Sequence, residues 1–519
     1  MFTLPQTNYQ LRDYQQALVQ EVFAQWHCGN RRVMLQLPTG GGKTVLFSAL
    51  AREFTTRGEG VLVLAHREEL IAQAYEKLQS ITELPVGIIK AKYPVNPLFP
   101  VQVASVQTLI RRRHLPEAAL VVCDEGHHSC SQSYTKIFEH YNRAYILGVT
   151  ATPARIDGQG FKFLYDALVL GPSVPELIKA GHLCRFKLFA AQNAIKTSGV
   201  KTTGGDFNQR SLAEAVNTAL VMGDLIETWQ KHASGKKTVL FAVDVAHSEA
   251  IANAYIEAGI PAEHLDGETP TEERKAILER FRTGQTLVLT NCGIVSEGFD
   301  LPSIEAIQCV RPTKSLILWL QMVGRALRPA PGKDYATVID HSQNWLFHGL
   351  PDEERDWSLE PVSLTSNQWA LQCPECSHIF KPLPHEQKPF RMEWDVKHRE
   401  MKPIMRSSCP NCETLMEFEQ GTGGDPPPPR IVTQDSDAEV EEVRLEADPL
   451  ILAELENLKR IQESNGYKKM WIYYRLLDNY RNNLGLIELR ECAKMLDFKP
   501  GWAWHKWQEL QQQPQAQSA

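Results

Sequence analysis

The clearest chemistry lies in ten residues, LQLPTGGGKT, ending at Thr44. An apolar run, VMLQLP over 33–38, enters a turn of three glycines. Lys43 and Thr44 follow, and then the helical pattern VLFSALAREF. Glycines at 40, 41 and 42 carry no Cβ, so backbone N–H groups can close on phosphate oxygens. Thr39, Gly40, Gly41 and Gly42 would form that cradle. Lys43 would put a point charge on the β/γ phosphates, and the Thr44 hydroxyl would ligate Mg2+. The helix behind the turn adds its positive N-terminal dipole. The common pattern G-x-x-x-x-G-K-[ST] is not met, because position 37 is Leu.

Two more constellations carry chemistry. LVVCDEGHH puts two acids at the end of an apolar strand, and ligands of open α/β sheets bind outside the carboxyl ends of strands. Asp124 is there to hold Mg2+, and Glu125 to orient or deprotonate an attacking water. Cys373-Pro-Glu-Cys376 and Cys409-Pro-Asn-Cys412 are two C-P-x-C pairs 32 residues apart. Four thiolates so paired make a closed, structural Zn2+ site. His378, His385 and His398 lie in the spacer as weaker alternatives.

These residues need scaffolding, and the chain has the material for several domains. It has 519 residues, 43% hydrophobic and 23% charged, which is ordinary globular composition. That excludes collagen-like, largely disordered and disulfide-scaffold classes. No apolar run approaches the ~20 residues of a membrane span, and the N-terminus does not read as a secretory signal. A cytoplasmic protein with no membrane partner is expected. The net charge is −7. Residues 431–450 hold seven acids and one base, −6 in all, which leaves the rest near −1. A neutral body can still present a basic groove.

Apolar runs alternate with helical patterns over 1–175, and the alternation repeats over 236–350, with 176–235 as a connecting segment. Two α/β domains with parallel sheets follow. The cysteine pairs define a module at 368–418. An acidic Pro/Gly linker spans 419–450, and a helical domain spans 451–510. The tail, 511–519, is expected to be disordered. In the helical domain Trp471, Tyr474, Trp502 and Trp507 are expected to build the core of a small bundle, with stacking on bases as the rival reading.

PTGGGKT followed by DEGH resembles the superfamily 2 helicases of the DEAD/DEAH group, and the resemblance runs in order across residues 11–329. LRDYQQ (11–16) resembles the adenine-side segment, which implies that Gln15 reads the base. AHREELIAQ (65–73) and ASVQTL (104–109) resemble strand-contacting motifs. TATP (150–153) resembles motif III, TNCGIVSEGFDLP (290–302) motif V, and QMVGRALRP (321–329) motif VI. Gly126 departs from the family, where Ala, Cys or a similar residue is usual. The resemblance implies two RecA-like parallel-sheet domains in tandem, with a zinc-ribbon-like module and a small helical domain behind them. It implies an ATP hydrolase driving a helicase or translocase, on DNA rather than RNA. Gln321, Arg325 and Arg328 would complete the ATP site from the second domain, the two arginines three apart on one face of a helix, with Glu297, Gly298 and Asp300 nearby. His127 would couple that site to the second domain, and Thr150 and Thr152 would link closure to strand binding. His66, Arg67, Gln107, Thr108 and Asn291 would touch the nucleic acid. Zinc cysteines behind such a core look like the RadD-like group of DNA-repair helicases. That implies a monomer, with single-strand-binding or repair proteins as partners. An RNA helicase, and the motor subunit of a restriction or defence complex, are the rival readings.

Overall fold

The computed structural model describes residues 10–66, 68–91, 93, 96–155, 158–190, 200–203, 206–208, 212, 219–293, 304–361, 370–383, 385–395, 400–419, 430–431, 449–480, 486–498, 502–503 and 506. The chain divides into two compact units. The first holds residues up to 387 with 406–431, and the second holds 388–405 and everything after 431.

The first unit contains two lobes. In lobe one, seven strands form one sheet: β1 (Arg32–Gln36), β2 (Val61–Ala65), β3 (Val86–Ile89), β4 (Val101–Ser105), β5 (Leu120–Asp124), β6 (Tyr145–Thr150) and β7 (Ala167–Leu170). The order is β3-β4-β2-β5-β6-β1-β7, with every neighbouring pair parallel. All residues of β2, β4 and β5 are buried, as a sheet covered on both faces by helices requires. β5, β6 and β1 are neighbours, so their carboxyl ends put Asp124, Thr150 and the Gly-rich turn side by side.

Lobe two begins with β8 (Arg185–Ala190). An antiparallel ribbon of β9 (Thr202–Thr203) and β10 (Asp206–Phe207) follows. Then come β11 (Thr238–Phe241), β12 (Ala262–Leu265), β13 (Val288–Asn291), β14 (Ala306–Cys309), β15 (Tyr335–Asp340), β16 (Leu371–Gln372) and β17 (His378–Phe380). The sheet order is β12-β13-β11-β14-β15-β8-β17-β16. One expectation changes here. The run RFKLFA lies within the span read as a connector, yet as β8 it pairs in parallel with β15 over six residues and is an interior strand of this sheet. The first cysteine pair, read as part of a module at 368–418, adjoins this sheet as well. Cys373 and Cys376 lie in the turn between β16 and β17, and β17 pairs antiparallel with β8. That hairpin therefore extends the motor-type sheet.

The helix Leu316–Ala326 packs nine of its eleven residues into the interior, with Trp319 fully buried. Each such large apolar side chain contributes roughly 1.5–3 kcal/mol. Beyond β15 the chain returns to lobe one. Trp357 packs on the second lobe's core, while Leu359 joins the first lobe's core and its carbonyl accepts N–H bonds from Phe161 (2.6 Å) and Lys162 (3.1 Å). Gly160 makes room for this crossing, since a Cβ there would lie 2.1 Å from the Leu359 carbonyl oxygen.

In the second unit, helices Pro449–Asn465, Met470–Tyr480 and Leu486–Met495 share a core of Ile451, Leu455, Ile472, Tyr473, Leu476 and Leu489. Trp471 and Trp502 pack against it, but Tyr474 does not, being 57% exposed. The core tyrosine is its neighbour Tyr473, because 472, 473 and 476 share the inward helix face. Trp507 and His398 lie outside the described residues. Among the described residues, no helix is long and apolar enough to cross a membrane.

Candidate functional site

The Gly-rich turn has the backbone that its glycines permit. Gly40 and Gly42 both have φ of +87°, in the left-handed region that side chains disfavour. A Cβ on Gly41 would lie 2.8 Å from the Leu37 side chain. Gly42 caps the helix Lys43–Thr56 without using a side chain, which leaves the first-turn N–H groups for an anion. Gln15 is buried beside this turn, with its amide 3.3 Å from the Gly41 carbonyl. The Tyr14 hydroxyl donates to the same carbonyl at 2.7 Å. Nothing in the sequence marked Tyr14 for this role.

Glu125 sits in the left-handed region, φ 51° and ψ 57°. A non-glycine residue held there costs on the order of 1–3 kcal/mol, and such strain collects at functional positions. The Glu125 N–H donates to Asp124 Oδ1 at 3.0 Å. Gly126 then passes the backbone of Gly148 so closely that a Cβ would lie 3.1 Å from the Gly148 Cα. The small residue here lets the acidic turn lie flat on β6. His127 Nδ1 is 3.4 Å from Glu125 Oε2 and 3.1 Å from the Thr150 hydroxyl. Thr150 Oγ1 in turn donates to the Thr152 carbonyl and accepts the Thr152 N–H. The rings continue outward, with His127 and His128 centroids 4.1 Å apart and His128 and His66 4.4 Å apart.

The second lobe faces this cleft. Gln321 Nε2 donates to Glu125 Oε2 at 3.4 Å. Gly324 lies against Thr39, where a Cβ would come 2.5 Å from the threonine's own. Arg325 is buried, 5% exposed. Arg328 lies beyond the end of the helix at Ala326 rather than on its face, and its Cγ is 3.6 Å from the Cβ position of Gly40. Lys333, unmarked in the sequence, ties that helix end down. Its ammonium donates to the carbonyls of Ile304, Ala326 and Arg328. Burial pulls its pKa down to about 8, against the pull of Cys184 and Glu305.

Lys43 records the assembly. Loss of water lowers its pKa. Glu125 and Asp124 oppose the shift, and Arg325 and Arg328 from the other lobe add to it. Three cations and two carboxylates therefore share one cleft, an arrangement suited to a polyanion bearing a divalent cation. Thr44 and Asp124 are the oxygen donors available to that cation.

The strand-side candidates fare unequally. Gln107 is exposed, on the short helix Val106–Leu109, and its Oε1 accepts from the Ser105 hydroxyl at 2.9 Å. Thr108 and His66 are half-buried. Asn291 is a correction. It is fully buried at the end of β13, and its amide donates to the Leu240 carbonyl at 2.9 Å, so it fastens the sheet. Arg67, Glu297, Gly298 and Asp300 lie outside the described residues.

The four cysteines converge, with their sulfurs all within 4.8 Å of one another. Cys373–Cys412 and Cys376–Cys409 are each 3.6 Å apart. Zn–S bonds of about 2.3 Å in a tetrahedron put sulfurs about 3.8 Å apart, so the donor set fits. Both knuckles have one design. Ser377 N–H donates to the Cys373 carbonyl and Glu413 N–H to the Cys409 carbonyl. Ser377 and Glu413 have φ of 59° and 62°. Asn411 donates to two of the sulfurs, Cys409 through its backbone and Cys376 through its side chain, each at 3.4 Å. Its Oδ1 accepts from Lys187 of β8 at 2.9 Å. His378 is not a ligand; its Nδ1 meets the Leu188 carbonyl at 3.0 Å.

Comparison with known proteins agrees with this layout. Residues 8–155 match the family described as the Type III restriction enzyme, res subunit, and residues 219–330 match the helicase conserved C-terminal domain. The chain is 36% identical over 360 residues to a 51.5 kDa protein of a Lactococcus phage (isolate 7-9), covering 67% of this chain and 75% of that one. It is 36% identical over 351 residues to IRC3 of Saccharomyces cerevisiae, named as a candidate ATP-dependent helicase; 64% of this chain and 51% of IRC3 are covered. It is 25% identical over 371 residues to the DNA 3'-5' translocase XPB2 of Sulfurisphaera tokodaii, covering 63% and 80%. The chain thus spans about half the length of the yeast relative and most of the other two. With a phosphate loop, an acidic box and an arginine helix meeting between two parallel-sheet lobes, the chain belongs to the superfamily 2 helicases of the DEAD/DEAH type.

Proposed function

We propose that this protein is a Mg-ATP-driven translocase or helicase acting on DNA rather than RNA. The observation that carries the reading is the meeting of Lys43, Asp124 and Glu125 of one lobe with Gln321, Arg325 and Arg328 of the other. In this reading the Gly-rich turn and Lys43 hold the triphosphate, and Gln15 borders the base. Thr44 and Asp124 would hold Mg2+, which would supply positive charge to the phosphate oxygens. Glu125 orients the attacking water, with His127 and Gln321 fixing its carboxylate. Arg325 and Arg328 stabilise the charge that builds as the γ-phosphoryl leaves. Glu125 thus answers to both lobes, so turnover opens and closes the cleft and moves a strand lying across it. His66, Gln107 and Thr108 are the described candidates for phosphate and sugar contact. The DNA preference is supported by the likeness to a DNA translocase.

Cys373, Cys376, Cys409 and Cys412 hold structural Zn2+ in the same proposal. The zinc cysteines behind the core favour the RadD-like group, a role in DNA repair and a monomer in the cytoplasm. A second reading, the motor subunit of a restriction complex, is favoured by the family matched at residues 8–155. A nuclease co-purifying with the chain would select it. The direct test is ATP turnover with single-stranded, duplex and forked DNA and with RNA in parallel. Stimulation by DNA is expected; stimulation by RNA alone would overturn the DNA assignment.

Two substitutions test parts of this scheme. Glu125→Gln keeps the shape and the Gln321 contact but removes the base. Nucleotide binding is expected to persist while turnover falls by about 10²-fold or more; loss of binding would contradict the role given to Glu125. Cys409→Ser removes one of four donors from a hairpin that is part of the second lobe's sheet. One equivalent of zinc should be lost and the melting midpoint should drop by roughly 5–10 °C, with partial ATPase retained. Metal analysis and calorimetry check both; unchanged zinc content would remove Cys409 from the ligand set.

A further inference from the structure

The C-terminal helical unit presents a partly exposed aromatic column, of which Trp471 also packs against the core. Residues 472, 473 and 476 of helix Met470–Tyr480 point into the bundle. On the outward side, Tyr467, Trp471 and Arg475 follow one another at four-residue spacing. The Tyr467 and Trp471 rings lie 4.7 Å apart, tilted by 32°. The Arg475 guanidinium is 5.6 Å from the Trp471 ring centre. Tyr474 stands beside this column at 57% exposure, and Tyr467 is 45% exposed.

The column is built rather than incidental. Tyr467 is fixed at both backbone groups to the end of the preceding helix. Its N–H donates to the Gln462 carbonyl at 3.1 Å, and its carbonyl accepts from the Gln462 side chain at 2.5 Å. Lys468 and Lys469 lie between the two ring residues in sequence, and both are exposed, as is Arg475. Asp478 is 3.7 Å from Arg475 and itself 65% exposed. With Tyr467 packed on Trp471, the exposed surfaces of Tyr467 and Tyr474, bordered by cations, suit unpaired nucleobases on an anionic backbone. An acidic protein segment would meet the charges but leave the exposed ring surfaces unused.

We propose that Tyr467, Trp471, Tyr474 and Arg475 form a stacking platform for two or three unpaired bases of the strand on which the motor acts. The proposal rests on the reading of this chain as a DNA motor and adds a base-contacting surface to a core that grips phosphates and sugars. Stacking on such a platform is sequence-tolerant, because every base has a π face. The platform therefore discriminates unpaired from paired nucleotides without selecting a sequence.

The test uses the full-length zinc-loaded protein and two labelled probes of equal length, oligo-dT and an abasic phosphodiester backbone, read by anisotropy. The unmutated protein should prefer oligo-dT. Tyr467→Ser with Tyr474→Ser, both away from the core, should weaken oligo-dT binding about tenfold or more and leave abasic binding unchanged. Trp471→Phe, which keeps a ring in the column, should retain most of the preference. Basal ATPase should not change in any variant. Equal loss on both probes, or unchanged oligo-dT affinity with the fold intact, overturns the platform; in the latter case a protein segment is the occupant to seek. Should the double variant fail to fold, Tyr474→Ser alone serves, at a 57% exposed position, with a smaller loss confined to oligo-dT. Absence of DNA-stimulated turnover in the unmutated protein would instead defeat the motor reading, so the two failures are separable.

Discussion

Replacing Arg325 with alanine is expected to lower DNA-stimulated ATP turnover by about 10³-fold or more while nucleotide still binds. The guanidinium comes from the second lobe, is 5% exposed and lies close enough to Lys43 to press on its pKa. A buried cation aimed at a site where negative charge grows acts mainly on the transition state, because little water is present to screen it. The signature is a fall in kcat with an affinity for non-hydrolysed nucleotide near that of the parent. Stability should hold, since the helix keeps Trp319 and its other apolar anchors. Turnover within tenfold of the parent would show that Arg325 faces something other than the leaving phosphoryl group.

Lys43→Ala is expected to abolish turnover and to weaken nucleotide binding as well. The difference from Arg325 is one of timing. In the proposed site Lys43 lies in the loop that would meet the ground-state phosphates, so its charge would act before any bond changes. Burial makes its ammonium costly, and the neighbouring Glu125 and Asp124 support it. A triphosphate relieves that cost, so part of the binding energy is stored at this side chain. Without Lys43 the cleft loses one of three cations facing a polyanion. Equilibrium binding of a labelled ATP analogue together with a turnover assay checks both effects. Retained hydrolysis would overturn the phosphate-loop assignment.

The parts of the site that could be read in the chain are those whose residues are consecutive. The Gly-rich turn needs three glycines in a row, and the acidic turn needs two acids behind an apolar strand. Both motifs therefore sit intact in the sequence. The arginines were visible too, but Arg328 lies past the helix end, where spacing alone had put it on the helix face. Strand pairing was hidden. An apolar run such as Arg185–Ala190 announces a strand but not its neighbours, and only the fold reveals that β8 joins β15 on one side and β17 on the other. Cysteine spacing announced four ligands in the same way, but not that their hairpin is sewn to β8. Asn291 misled because a polar residue at a strand end can face solvent or bond inward, and it does the latter. Lys333 and Tyr14 gave no signal because each acts on backbone carbonyls, which any sequence provides.

The crossing at Leu359 gives the two lobes a tether besides the chain that leads from β7 to β8. Lobes joined once would wander through many orientations between catalytic cycles, and each reclosure would have to recover that lost freedom. Joined twice, they keep a high effective concentration of arginine helix at the phosphate loop. The accessible motion then narrows towards rotation about an axis near the second attachment. A lever with a fixed pivot converts each turnover into a displacement of set direction, and that is what orderly stepping along a polymer demands.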